Sequence, residues 1–290
     1  MKNRLIIIIS FTILSGQSGY EIAKKLDEKH MPKNMVSKTS MVLTNSKGKA
    51  RNSVMLTKIM DNSRLQLIWF IEPKDDRGIS FLKIEHDDRD DEMRIWLPAF
   101  KRVRRISASK KGNSFMGSDL SYEDMTSRSL ADNDYKRLED EIINGRECFV
   151  IEVTPDVSLK SSYSKHKAWI VKDDIYIIKE ESYDKRGKIK KDKIFSYIKI
   201  DDYDIMSKIS VKDVQKNHKT DIFFDQVKVD TEMNEKIFQE TIKSFKLFSS
   251  QFNFKIEKFI PISALNGDNV FAKNKNIHWY KGKTLIEELE

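Results

Sequence analysis

The sequence holds one cysteine in 290 residues. That excludes an intrachain disulfide, and with it the disulfide frameworks that hold many small secreted domains together. The single thiol, Cys148, lies in the strand-like run Glu147-Cys148-Phe149-Val150-Ile151 and reads as a small core residue. Long apolar runs are equally scarce. Leu5 to Leu14 is the nearest to one, short of the roughly 20 residues a spanning helix needs. Histidine is sparse too, with five in the chain, and none stands in a His-Glu-x-x-His arrangement. The acidic tip from Asp87 to Asp91 lacks the spacing of a calcium loop, so neither a metal nor a cofactor is expected. Ser118 and Ser121 lie in no Gly-x-Ser-x-Gly elbow, which argues against a hydrolase. Lys and Arg outnumber Asp and Glu by 53 to 45, a formal charge of +8. The basic residues are spread along the chain, and zinc-ligand spacing, basic heptads and an aromatic RNA-binding strand are missing, so no nucleic-acid partner is expected.

What is present begins at the N-terminus. Lys2 and Arg4 precede the apolar stretch, and Ser15-Gly16-Gln17-Ser18-Gly19 follows it. Gly16 and Ser18 can occupy the small −3 and −1 positions of a cleavage site, so residues 1–18 read as a cleavable signal peptide. A buried N-terminal strand is the alternative. Tyr20 to Lys29 has the spacing of a short amphipathic helix. From residue 36 onward the pattern is β. Strands are expected over 37–43, 51–59, 65–71, 79–85, 93–97, 146–153, 166–171, 175–183 and 190–200, separated by turn clusters such as Asn45-Ser46-Lys47-Gly48. Successive hairpins of this kind predict a meandering antiparallel sheet that curls, because a long open edge invites aggregation. Sixteen Phe, nine Tyr and four Trp suffice for a sizeable core.

The most distinctive stretch is Met93-Arg94-Ile95-Trp96-Leu97-Pro98-Ala99-Phe100-Lys101-Arg102-Val103-Arg104-Arg105-Ile106, continued by Phe115-Met116-Gly117-Ser118-Asp119-Leu120-Ser121-Tyr122-Glu123-Asp124-Met125. With Pro73 to Leu82 and Trp169 to Gly187, it resembles the outer-membrane lipoprotein-sorting family of LolA-like periplasmic proteins, over about residues 20 to 245. The resemblance implies an incomplete, half-open antiparallel β-barrel with short helices covering an apolar cavity. It implies a periplasmic carrier that binds acyl chains of lipoproteins or lipids, without catalysis. An inner-membrane transporter and an outer-membrane acceptor would be its partners. The implied carrier domain is 19–247.

Within that frame Trp69, Phe70, Trp96, Phe115, Met116 and Trp169 are candidates to line the cavity, against the alternative that they fill a core. If Phe100 to Ile106 is a strand, its basic groups cannot all be buried. Arg104 or Arg105 then meets a lipid headgroup, or pairs with Asp119 or Asp124 to hold a lid; a structural ion pair or a solvated strand is the alternative. Ser118 or Asp119 can cap a short helix through Tyr122 to Met125.

From about Phe248 the sequence changes character. Lys258-Phe259-Ile260-Pro261-Ile262-Ser263-Ala264-Leu265-Asn266-Gly267-Asp268-Asn269-Val270 and His278-Trp279-Tyr280-Lys281-Gly282-Lys283-Thr284-Leu285 resemble the end of the GTP-binding domain of elongation-factor 1-alpha-like GTPases, including the sulfate adenylyltransferase large subunit. Ser263-Ala264-Leu265 would be the guanine-proximal segment. The chain has no phosphate-cradling Gly-x-x-x-x-Gly-Lys-Ser/Thr loop and no Asn-Lys-x-Asp motif, so GTP is not expected to bind. Residues 248–290 read as a GTPase-domain remnant, a small α/β fragment. Thr284 and Glu287 have capping-box spacing for its last helix.

Overall fold

The computed structural model describes residues 17–86, 89–231, 258–262, 269–270, 273 and 277–289. The chain divides into two compact units, Met1–Asp230 and Thr231–Glu290. The apolar signal segment, the tip residues Asp87 and Asp88, the 247/248 boundary and Ser263-Ala264-Leu265 lie outside the described residues.

The first unit is built on one antiparallel sheet of fourteen strands that does not close. Six strands form a first meander: β1 (Asn34–Thr44), β2 (Ala50–Met60), β3 (Leu65–Glu72), β4 (Ser80–Ile84), β5 (Glu92–Leu97) and β6 (Arg102–Arg105). The second comprises β7 (Asn133–Arg137), β8 (Glu141–Ile143), β9 (Arg146–Pro155), β10 (Lys165–Val171), β11 (Ile177–Tyr183), β12 (Ile189–Ile200), β13 (Tyr203–Asp213) and β14 (His218–Val229). The first and last strands pair, Met41 opposite Ile222, and so fuse the two meanders. The free edges are therefore β6 and β7, with β8 hooked onto β9. Edge β6 is four residues long, three of them arginine and all exposed, a composition that discourages further strand pairing. The expected strands all form; β7, β8, β13 and β14 were not anticipated.

Period-two alternation sets the inner face. In β3, Ile68 and Phe70 are buried while Trp69 between them is 47% exposed. Met41, Met55, Phe70, Phe81, Met93 and Ile222 join one inner core. At the other end of the sheet Ile151, Val153, Ala168 and Ile170 receive a helix, α1 (Gly19–Asp27), through Ile22 and Ala23. Burying Ile22 contributes roughly 1.5–3 kcal/mol. Ser18 starts this helix: its hydroxyl accepts from the Glu21 N–H, and the Glu21 carboxylate accepts from the Ser18 N–H.

The chain between the two free edges, residues 106–132, is a strap rather than a helix. It carries short 3-10 turns at Ala108–Lys110, Glu123–Met125 and Leu130–Asp132. Phe115, Leu120 and Tyr122 from the strap enter the inner core, where Phe115 meets Phe81 edge-on with ring centroids 5.2 Å apart. The cover expected to be helical is thus α1 plus this strap. The helix expected to be capped by Ser118 or Asp119 is the single 3-10 turn Glu123–Met125, preceded by Tyr122 with no side-chain cap.

In the second unit, Thr284 and Glu287 exchange backbone-to-side-chain hydrogen bonds at 2.8 and 3.3 Å, opening α2 (Leu285–Leu289) as the spacing predicts.

Candidate functional site

The curled sheet, α1 and the strap border a half-open cavity of about 560 Å3. Most of its wall is aliphatic or sulfur-bearing, including Met41, Met55, Ile59, Ile68, Ile209 and Ile222. Apolar lining on this scale is what a hydrocarbon-binding pocket requires.

One wall differs. Two neighbouring rows of the inner face carry charge where the alternation calls for apolar side chains. In one row His166 faces Ser182, which faces Lys191; in the next, Ala168 faces Glu180, which faces Lys193. The strap closes over these rows and adds Asp124 and Arg128. The Asp124 carboxylate accepts from Lys191 Nζ at 2.5 Å, Lys193 Nζ at 2.7 Å, Tyr163 Oη at 2.9 Å, and the Ser121 hydroxyl and N–H. Glu180 accepts from both terminal nitrogens of Arg128, at 2.6 and 2.9 Å, and from Lys193 at 2.9 Å. Lys193 therefore bridges the two carboxylates. Of these groups Asp124, Arg128, Glu180 and Lys193 line the cavity.

The electrostatics follow from burial and pairing together. Burial alone would raise the carboxyls of Asp124 and Glu180. The ammonium groups of Lys193 and Lys191 outweigh it at Asp124, and Arg128 and Lys193 outweigh it at Glu180, so both carboxyls sit well below their usual range. Burial, reinforced by Arg128, holds His166 well below its ordinary value and keeps the imidazole neutral. Ser182 and Glu180 both approach His166 at Nδ1, at 2.9 and 3.6 Å. A relay needs its base and its orienting carboxylate on opposite ring nitrogens, and Ser182 has no accessible surface. Ser182, His166 and Glu180 therefore lack the geometry of a serine–histidine–carboxylate relay.

Of the residues singled out by sequence, Phe115 and Asp124 line the cavity. Phe70 lies behind Phe115 in the inner core, and Met116 packs against that core at its margin. Trp69, Trp96 and Trp169 do not line the cavity, because each has the opposite strand parity. Trp69 and Trp96 stand on the outer face, in a stripe running Leu56, Trp69, Ser80, Trp96, Val103 across β2 to β6. Trp169 is buried on that outer face with Cys148 and Val150, and its indole N–H donates to Glu141 at 2.9 Å. Arg104 and Arg105 are exposed on β6, and neither forms a salt bridge to a described carboxylate. The expected pairing with Asp119 or Asp124 is corrected: Asp119 bonds His218 and Thr220, and Asp124 bonds the two lysines. The pairs that hold the strap come from β11, β12 and β14, not from β6.

Arg128, His166, Glu180, Lys191 and Lys193 were missed. Glu180, Lys191 and Lys193 take the inward parity of β11 and β12, whereas His166 lies on β10 and Arg128 on the strap, so the fold alone brings the five together.

A family model described as an uncharacterized protein family matches residues 62–242. Among solved structures, a putative outer membrane lipoprotein-sorting protein domain from Vibrio parahaemolyticus is 28% identical, with a TM-score of 0.69, over 77% of this chain and 97% of that one. A DUF1329 family protein from Desulfovibrio piger is also 28% identical, TM-score 0.70, with the same coverage of both chains. A LolA superfamily protein from Nitrosomonas europaea shares the fold at 16% identity, TM-score 0.60, over 77% of this chain and 98% of that one. Separately, 59 residues are 41% identical to sulfate adenylyltransferase subunit 1 of Pseudoalteromonas atlantica and 37% identical to elongation factor 1-alpha of Ignicoccus hospitalis. That is 20% of this chain, and the chain spans about an eighth of the length of those curated relatives, 13% in each case. With more than half of its length inside the family model, the chain belongs to that family, and its β unit has the open, LolA-like fold of outer-membrane lipoprotein-sorting domains.

Proposed function

We propose that this protein is a periplasmic carrier that shelters the acyl chain of a lipid or lipoprotein in the cavity of its β unit, and that it is not an enzyme. The observation that carries this reading is the cavity of about 560 Å3 walled by methionine and isoleucine. Apolar side chains that face an open cleft stay against water until something apolar covers them, and a hydrocarbon chain supplies that cover. The lipoprotein-sorting relative supports the same cargo class. Among the described residues no helix is long and apolar enough to cross a membrane, as suits a carrier moving between membranes. In this reading the outer-face stripe and the arginines of β6 are where an inner-membrane transporter and an outer-membrane acceptor engage the carrier. Neither nucleic acid nor GTP has a part in it.

The test is native mass spectrometry of the full chain, purified gently from an exporting host and then after extraction with organic solvent. The expected result is a heavier species whose excess mass is recovered in the extract as acyl lipid. A single mass equal to the polypeptide, unchanged by incubation with lipid, would overturn the reading.

A further inference from the structure

The charged wall is a cluster of ion pairs with one member open to the cavity. Its ion-paired members are three cations, Lys191, Lys193 and Arg128, and two carboxylates, Asp124 and Glu180. His166, being neutral, adds nothing. Glu123, the adjacent carboxylate, keeps its negative charge while accepting from the hydroxyls of Ser161 and Ser162, and it does not line the cavity. Elsewhere on the cavity wall Lys83 pairs with Glu85 and Lys29 with Asp204, each at 2.8 Å, and Asp27 contributes a carboxylate from the end of α1. These pairs are buried: Asp124, Glu180, Lys191 and Lys193 are each no more than 5% exposed.

Arg128 is where an anion fits. Its side chain keeps 33% of its surface accessible, and it lines the cavity. Two of its five N–H groups bind Glu180 and a third approaches His166 Nδ1 at 3.3 Å. The Nε–H and the second Nη1–H make no hydrogen bond to a described residue. A planar guanidinium with two unspent donors suits a carboxylate or phosphate oxygen. Away from this wall the cavity offers Met41, Met55, Ile68 and Ile222, which suit only hydrocarbon.

We infer that the cavity selects an amphiphile with one anionic headgroup, its chain against the methionines and isoleucines and its head against Arg128 and Lys193. The inference rests on the chain-binding reading and adds the headgroup class. A carboxylate, as in a fatty acid, and a phosphodiester, as in a lysophospholipid, share the required chemistry.

The test is calorimetric titration of the full chain with dodecanoate, dodecanol and dodecyltrimethylammonium, ligands of one chain length and three head charges, and with lysophosphatidylglycerol. Dodecanoate is expected to bind about tenfold or more tightly than dodecanol, and the ammonium weakest, as a charge-assisted contact requires. In Arg128→Gln the preference for dodecanoate over dodecanol should shrink to within about threefold. A wild-type protein that binds dodecanoate and dodecanol equally, or prefers the ammonium, overturns the headgroup inference while leaving the chain-binding reading intact. Binding of none of the ligands overturns both. Tight binding of lysophosphatidylglycerol alone or of dodecanoate alone supports the inference and identifies the phosphodiester or the carboxylate as the head. Because the wild-type ligand series decides the matter, a failure of Arg128→Gln to fold does not remove the test.

Discussion

Asp119 and His218 stand 99 positions apart in sequence and meet through Oδ2 and Nδ1 at 2.7 Å. The contact joins the strap to β14, the strand that fuses the two meanders. Thr220, also on β14, donates its hydroxyl to the same carboxylate oxygen at 2.7 Å and accepts from the Asp119 N–H at 2.9 Å. The strap is therefore pinned at Asp119 on β14 and at Asp124 on β12, and the cavity lies beneath it.

Removing the first pin should loosen the cover without dissolving the sheet. Asp119→Ala leaves buried Thr220 short of a partner, at an expected cost of about 1–3 kcal/mol. Hydrogen exchange should show faster exchange at Asp119 and Leu120, whose N–H groups are bonded to Thr220 and Ser118. Exchange of the β9 and β10 amides should stay as in the parent. Equal acceleration throughout would mean that the strap is no separate element.

The second pin is the more costly to break. Asp124→Asn removes the charge that Lys191 and Lys193 share, leaving buried ammonium groups uncompensated. The expected loss is about 3–5 kcal/mol, read as a lower denaturant midpoint. Lys191→Met in the Asp124→Asn background should recover part of it. A fully additive double variant would show that the two side chains do not interact.

Acid should destabilise the fold in two stages. Burial and Arg128 depress His166 from 6.5 in the folded protein, so below that pH the unfolded chain binds a proton that the folded chain refuses. Stability then falls by up to about 1.4 kcal/mol per pH unit for this one proton. Asp124 and Glu180 are depressed from 3.8 and 4.5. Their contribution is complete above those values and is lost as pH falls through the folded ones. Denaturant titrations across pH should show the first slope vanish in His166→Asn and the second persist. A first slope unchanged in that variant would place its origin elsewhere.

Strand parity makes a paired prediction at two adjacent aromatics. Phe70→Ala opens the inner core and should cost about 3–5 kcal/mol. Trp69→Ala, on the outer face, should cost under about 1 kcal/mol and leave acyl-chain affinity unchanged. Similar losses at both positions would contradict the assignment of faces.

The sheet was legible because alternation and turn residues are local properties. Leu65 to Ile71 announces a strand, and Asn45 to Gly48 a turn, which Asn45 closes by accepting from the N–H groups of Lys47 and Lys49. The distinctive block was recognised as a unit, and the fold it implied is the fold present. Which face each aromatic occupies was not legible, since parity is fixed by register with neighbours far along the chain: Trp69 looks outward because it pairs with Leu56 and Ser80. The charged wall was hidden for a related reason. Lys191, Lys193 and Glu180 read as surface charge until Asp124 and Arg128, more than fifty residues away from Glu180, are folded over them. Arg104 and Arg105 drew attention through their local density, yet β6 is a free edge where charge is solvated.

The measurement that bears most directly on the central claim is a titration of the full chain with a fluorescent acyl probe, beside Ile68→Trp, which fills the cavity from its aliphatic wall. A chain-binding cavity predicts saturable one-to-one binding, displaced by unlabelled fatty acid and weakened about tenfold or more when the wall is filled. Binding that does not saturate, or that is indifferent to Ile68→Trp in a folded variant, would contradict it.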